Sequence, residues 1–193
     1  MSRFAVFACV ALVAGSPGGS AHAQSTNQFH PDYKPNESPG YVDNKPEWEE
    51  TEAKLPAYPK PENLIGFEVV AMRSFRFFVD SESINPAKNG VVFYTMVARS
   101  GSGTENVMFI GLRCATGEQR IYANGRTTDQ TWSVVRDSKW KLIEPRSVAL
   151  QYMAIRRDFF CPGAVPIMTR AEGIDALKRG YHPNALSNQS PIR

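Results

Sequence analysis

The sequence predicts an α+β fold: an antiparallel β-meander packed against a C-terminal amphipathic helix and fastened by one disulfide. Three observations predict it. The middle of the chain holds apolar runs of strand composition, separated by turn residues. Further on, Val148, Tyr152, Ile155 and Phe159 recur at spacings of 4, 3 and 4, which is one face of a helix. Outside the N-terminal apolar run there are two cysteines, Cys114 and Cys161. Strands followed by helices, rather than alternating with them, favour an antiparallel sheet with the helices on one side.

The first element is a targeting segment. Arg3 precedes an apolar run from Phe4 to Ala14, and a small-residue stretch then ends in Ala21-His22-Ala23. This is the plan of a secretory signal peptide, expected over residues 1–23. The run is about half of what a bilayer-spanning helix needs. Cleavage after Ala23 would leave a soluble periplasmic chain starting at Gln24, with no transmembrane segment. Cys9 lies inside the apolar run without a Leu three residues before it, so lipidation is not expected.

Residues 24–61 read as a Pro-rich acidic arm, partly disordered. Seven of the chain's 14 prolines fall between Pro31 and Pro61, and the aromatics Phe29, Tyr33, Tyr41, Trp48 and Tyr58 follow no period. One short helix fits Lys45–Leu55, with Asn44 as its cap, Pro46 in its first turn and Glu47, Glu49 and Glu50 at the positive end of its dipole. A single α+β domain is expected over 62–180. Phe75–Val79 has strand composition, Asp80–Gly90 is turn-rich, and Val91–Arg99 is the clearest strand. The Ser100-Gly101-Ser102-Gly103 turn leads to a second strand of the hairpin, Asn106–Ala115, with Met108, Ile110, Leu112 and Cys114 on its core-facing side. Gln119–Ala123 continues the meander after a turn at Thr116-Gly117. The helix is stopped by Cys161-Pro162-Gly163, a second one is expected over Thr169–Arg179 before Gly180, and 181–193 read as a disordered tail.

Once Cys9 has left with the signal, Cys114 and Cys161 in an oxidising compartment read as one disulfide. For a loop of about 50 residues, chain entropy gives such a link ~4 kcal/mol, as an upper figure. The alternative is two free, buried thiols.

Catalytic motifs are scarce. His22 leaves with the signal, and His30 and His182 lie in the expected arm and tail. A Cys-His or Ser-His-Asp site would need a residue from one of these, and a zinc site lacks ligands. No metal or cofactor is expected. Core carboxylates such as Asp80, Glu82 or Glu118 leave open a hydrolase acting on an envelope polymer through a carboxylate pair. The formal net charge of +3, with Arg3 lost on cleavage, does not argue for nucleic acid.

Charge is distributed unevenly. Residues 31–68 carry nine acidic and four basic side chains, whereas 112–157 carry nine basic and four acidic. Aromatics lie within or beside the basic region, and Arg with Trp or Tyr is the chemistry of binding hot spots. Arg113, Arg120, Tyr122, Trp132 and Trp140 are therefore the candidate contact surface. The expected function is a non-catalytic periplasmic binding or cell-envelope assembly module. Its partner would be an envelope protein or an anionic envelope component, with the acidic arm folding across the basic face. The plainer alternative makes the arginines a solvated face and the tryptophans core.

A family resemblance adds to this reading. Gly90–Thr95, Ser100–Gly103, Asn106, Gly111–Glu118, Tyr122–Gly125, a tryptophan at 132 or 140, and Asp158–Pro162 form an ordered set. With Asn63-Leu64-Ile65 and Trp48-Glu49-Glu50, the set resembles the cryptic neisserial protein-like domain family over roughly residues 46–164. The resemblance implies a periplasmic or lipoprotein-like protein of proteobacteria, brings no catalytic residues, and implies that Cys114 and Cys161 matter together. The chain departs from lipoprotein members in lacking a lipobox.

Overall fold

A computed structural model describes residues 48–50, 52–144 and 149–185. The signal region, His30, the arm up to residue 47, Val148 and residues 186–193 lie outside the described residues.

Among the described residues, seven antiparallel strands form one sheet: β1 (Leu64–Phe67), β2 (Phe75–Pro86), β3 (Val91–Ser100), β4 (Glu105–Arg113), β5 (Glu118–Arg126), β6 (Thr131–Val134) and β7 (Lys141–Leu142). Strands β1 to β6 lie side by side in chain order, and β7 pairs with β5 beyond the end of β6. In the middle of the sheet, β3 is buried over eight consecutive residues. Both of its faces are covered, which is why Val91–Ala98 is almost continuously apolar rather than alternating.

On the first face, Phe77 and Val79 of β2, Tyr94 and Met96 of β3, and Ile110 and Leu112 of β4 meet the C-terminal helices in the main core. Those helices are α1 (Leu150–Ala154), which runs directly into a π-helical segment at Ile155–Phe160, and α2 (Arg170–Arg179). Tyr152, Ile155 and Phe159 are all buried against the sheet, and the Phe160 ring meets Tyr94 edge-on at 5.3 Å. The wider π turn, with the Cys161 N–H reaching the Arg156 carbonyl at 2.8 Å, was not expected from the sequence. Thr169 caps α2 by accepting the Glu172 N–H at 3.1 Å, and Gly180 ends it in the left-handed conformation at φ 83°.

The disulfide joins Cys114 and Cys161 across 47 positions of chain, and both residues are buried. It ties the end of β4 to the end of the helical segment. Among the described residues no helix is long and apolar enough to cross a membrane.

Three sequence expectations change. The turn-rich stretch Asp80–Gly90 is mostly strand, because β2 continues to Pro86 through an irregularity between Asp80 and Asn85. There Ser83 stands in for the interrupted ladder: its hydroxyl donates to the Asp80 carbonyl and accepts the Thr95 N–H, both at 2.7 Å. The expected helix at Lys45–Leu55 does not form over its described residues, which run extended. His182, placed in the tail, is 4% exposed. Its Nε2 lies 2.9 Å from Glu172, its Nδ1 accepts the Asn184 N–H, and its own N–H donates to the Asp158 carbonyl at 2.7 Å.

Candidate functional site

The second face of the sheet brings the five candidate contact residues together. A β-bulge does part of this. Phe109 pairs with Ala123 and Ile110 with Ile121, which leaves Tyr122 as the extra residue of β5. The bulge turns Tyr122 toward the second face beside Ala123, where its ring packs on Phe93 and Phe109. Trp132 of β6 and Trp140, just before β7, join the same small core around Val91, Phe93, Phe109 and Ala123.

Two glycines make room for these rings. A Cβ at Gly111 would stand 2.9 Å from the Tyr122 ring and 3.1 Å from Trp140. At Gly125 it would stand 2.6 Å from the Val107 Cβ and 3.0 Å from the Tyr58 ring.

Residues 48–50 and 52–58 lie on this face as a strap. The Arg113 guanidinium sits over the Trp48 indole, and Trp48 meets Trp140 edge-on at 5.8 Å. Glu50 bridges two residues of β5: it pairs with Arg120 and accepts the Tyr122 hydroxyl at 2.7 Å. Tyr58 packs against Trp132 with centroids 5.5 Å apart. The strap's backbone is held too. The Trp132 indole N–H donates to the Pro56 carbonyl at 2.9 Å, the Asn89 amide donates to the Glu49 carbonyl, and Trp48 donates to the Asn89 carbonyl. These contacts hold the chain extended, and a helix over Lys45–Leu55 would withdraw the Glu49 carbonyl into its own ladder. Tertiary contacts therefore override the helix-start pattern around Pro46.

The electrostatics of the face are largely satisfied from within. Arg113 also pairs with Glu118 at 2.8 Å, and the side chains of Arg113 and Arg120 are only 21% and 24% exposed. Burial, and then the hydrogen bond to Glu50, push the Tyr122 hydroxyl well above its usual pKa. The arginines are thus not a solvated row. The tryptophans belong to a second, smaller core that the strap closes.

The carboxylates named for a hydrolase are engaged elsewhere. Asp80 is 3% exposed within the β2 irregularity, with its Oδ1 accepting the Glu82 N–H, and burial raises its pKa. Glu82 pairs with Arg170 at 3.0 Å. Glu118 accepts from Arg113 and from the Thr116 hydroxyl. Among the described residues, no group of His, Cys, Asp and Glu is arranged to hold a metal ion.

A second feature was not singled out from the sequence. β6 and β7 share the outer edge of β5, and the loop joining them runs past the middle of that strand. Loop and strand enclose an open concavity of about 420 Å³ lined by Gln119, Ile121, Asn124, Arg136, Lys139 and Lys141, among others. The signal for it was the surplus of basic residues over 112–157, but only folding separates the paired cations from the unpaired ones.

The CNP1-like family matches residues 43–178, a span that includes the strap, the whole sheet and nearly all of α2. The chain is 25% identical over 185 residues to Cryptic neisserial protein 1 of Neisseria gonorrhoeae (strain ATCC 700825 / FA 1090), an alignment covering 87% of this chain and 89% of that protein. No solved structure matches. With the match running through both cysteines and every strand, the chain belongs to the CNP1-like family.

Proposed function

We propose that this protein is a non-catalytic binding module of the bacterial cell envelope that acts in the periplasm on an anionic envelope component. The signal-peptide pattern of residues 1–23 supports export, and a disulfide persists in an oxidising compartment. The observation that carries the binding reading is how the basic surplus is spent. Arg113 and Arg120 are neutralised by Glu118 and Glu50, Arg126 by Asp129 and Arg157 by Asp158. Arg136, Lys139 and Lys141 have no ion pair or side-chain hydrogen bond among the described residues, and they share one concavity. A concave surface with three cations against one carboxylate concentrates anions. The working unit extends from the strap to α2, with residues 48–58 as part of the domain rather than a linker.

The test is co-sedimentation of the exported protein with purified envelope fractions at low and at high salt. Retention at low salt that falls as salt rises, without release of soluble fragments from the polymer, is the expected result. Release of such fragments would turn the reading to a hydrolase, and no retention at any salt would end it.

A further inference from the structure

We infer that the concavity between β5 and the loop 135–140 is a binding site for a phosphorylated sugar. This deepens the envelope-binding reading and rests on it. Three kinds of side chain meet there. Arg136, Lys139 and Lys141 bring positive charge against a single carboxylate, Asp137. Gln119, Asn124 and Ser138 bring neutral groups that both donate and accept hydrogen bonds. Ile121 and Val135 give an apolar wall.

Each kind matches one part of such a ligand. A phosphate takes charge-assisted hydrogen bonds from guanidinium and ammonium groups. Ring hydroxyls need partners that both donate and accept, and the C–H face of a sugar ring packs on aliphatic carbon. An apolar ligand would leave the cations unmatched, and a bare phosphate would leave the amides and the wall unused. The Gln119 side-chain oxygen is buried without a donor in the folded chain. Turned into the concavity, that amide finds the donor it lacks in a ligand hydroxyl.

The backbone holds these groups in place. Lys141 is fixed opposite Gln119 by the β5–β7 register. The loop is anchored at one end by the Val135 N–H on the Tyr122 carbonyl at 2.8 Å and at the other by Trp140, inserted against Gly111. In between, Asp137 takes the left-handed conformation at φ 55°, which folds the loop back on itself. The site lies on strands inside the disulfide-closed segment and is separate from the strap contacts.

The same chemistry is presented by a free sugar phosphate and by a phosphorylated glycolipid headgroup, and the test separates them. The exported protein is titrated calorimetrically with glucosamine 1-phosphate, N-acetylglucosamine and inorganic phosphate. In parallel it is sedimented with vesicles of neutral lipid, with and without a phosphorylated glycolipid. Glucosamine 1-phosphate is expected to bind at least ~10-fold more tightly than either the neutral sugar or phosphate, or the protein is expected to pellet only with the glycolipid vesicles. The triple variant Arg136→Gln/Lys139→Gln/Lys141→Gln should lose that binding at unchanged Tm, since these side chains hold no partner in the fold. Gln119→Met should lose the preference for the sugar phosphate over phosphate. Equal binding of all three probes, or binding unchanged in the triple variant, overturns the site. If the triple variant loses retention on envelope fractions but the wild type binds neither glucosamine 1-phosphate nor the glycolipid vesicles, the sugar-phosphate assignment fails while the envelope-binding reading stands.

Discussion

The guanidinium of Arg113 lies 3.9 Å from the ring centroid of Trp48 and 5.7 Å from that of Trp140, so a single cation on β4 serves indoles from the strap and from the loop before β7. The strap is therefore joined to the sheet by directional contacts as well as by area. Trp48→Ala should cost about 2 kcal/mol in urea denaturation, from lost burial together with the lost cation–π contact. A double-mutant cycle with Arg113→Ala should return a coupling near ~1 kcal/mol. Additive effects would mean that the two side chains are merely neighbours.

Removal of the strap has a distinct signature. A chain starting at Asn63 lacks Trp48, Glu50, Pro56 and Tyr58 and so uncovers Phe93, Phe109, Tyr122, Trp132 and Trp140. It should bind a hydrophobic dye and lose at least ~5 °C in Tm. An unchanged Tm would show that the small core closes without the strap.

The two tight glycines make a sharper test, because they alter no charge. Gly111→Ala and Gly125→Ala each place a methyl within 3 Å of a fixed neighbour. Each should cost about 1–3 kcal/mol. Gly90→Ala, where nothing lies within 4 Å of the built Cβ, separates the effect of crowding from that of left-handed backbone strain.

Asp80 sets a pH dependence. Burial raises its pKa in the folded protein, so the native state holds that proton more tightly than the unfolded chain does. Ionised Asp80 therefore opposes folding at neutral pH. This destabilisation is relieved as pH falls through the folded pKa, and the relief is complete below the unfolded one. Asp80→Asn keeps an oxygen for the Glu82 N–H and removes the charge. It should raise Tm at pH 7 by a few degrees and leave Tm in acid unchanged. A fall in Tm at pH 7 would show that the carboxylate charge is needed in place.

Reduction should add two hydrogens to the intact mass, and Cys114→Ser/Cys161→Ser should cost about 2–4 kcal/mol. Alkylation of either thiol without reductant in protein made in an oxidising compartment would contradict the crosslink.

What the sequence made legible follows from which interactions are local. The hairpin of β3 and β4, the core-facing side of Met108, Ile110, Leu112 and Cys114, and the Thr169 and Gly180 boundaries of α2 were all readable, because turn residues, period and caps act over a few positions. β1, β6 and β7 were not, since two to four residues hold too little pattern and pair only because a neighbouring edge exists. The five candidate contact residues stand out in the sequence by composition alone. Their partners Glu50, Pro56 and Tyr58 lie about 70 positions or more from the β5 and β6 residues they touch, beyond any local signal. The unequal charge of the two segments hinted at the match between strap and face. The trio of Arg136, Lys139 and Lys141 stands apart only once folding has paired Arg113, Arg120, Arg126 and Arg157 with carboxylates.

The order of synthesis gives the strap one more consequence. Residues 48–58 are made before every strand they cover, and the surfaces that hold Trp48, Glu50 and Tyr58 are completed only when β5, β6 and Trp140 have been made. A chain ending before β5 offers Trp48 only Arg113 and Asn89, and offers Glu50 and Tyr58 none of the β5 and β6 partners that hold them. The strap thus precedes the whole sheet in the chain yet is completed only by its last strands, and its seating reports that the far edge of the sheet is finished.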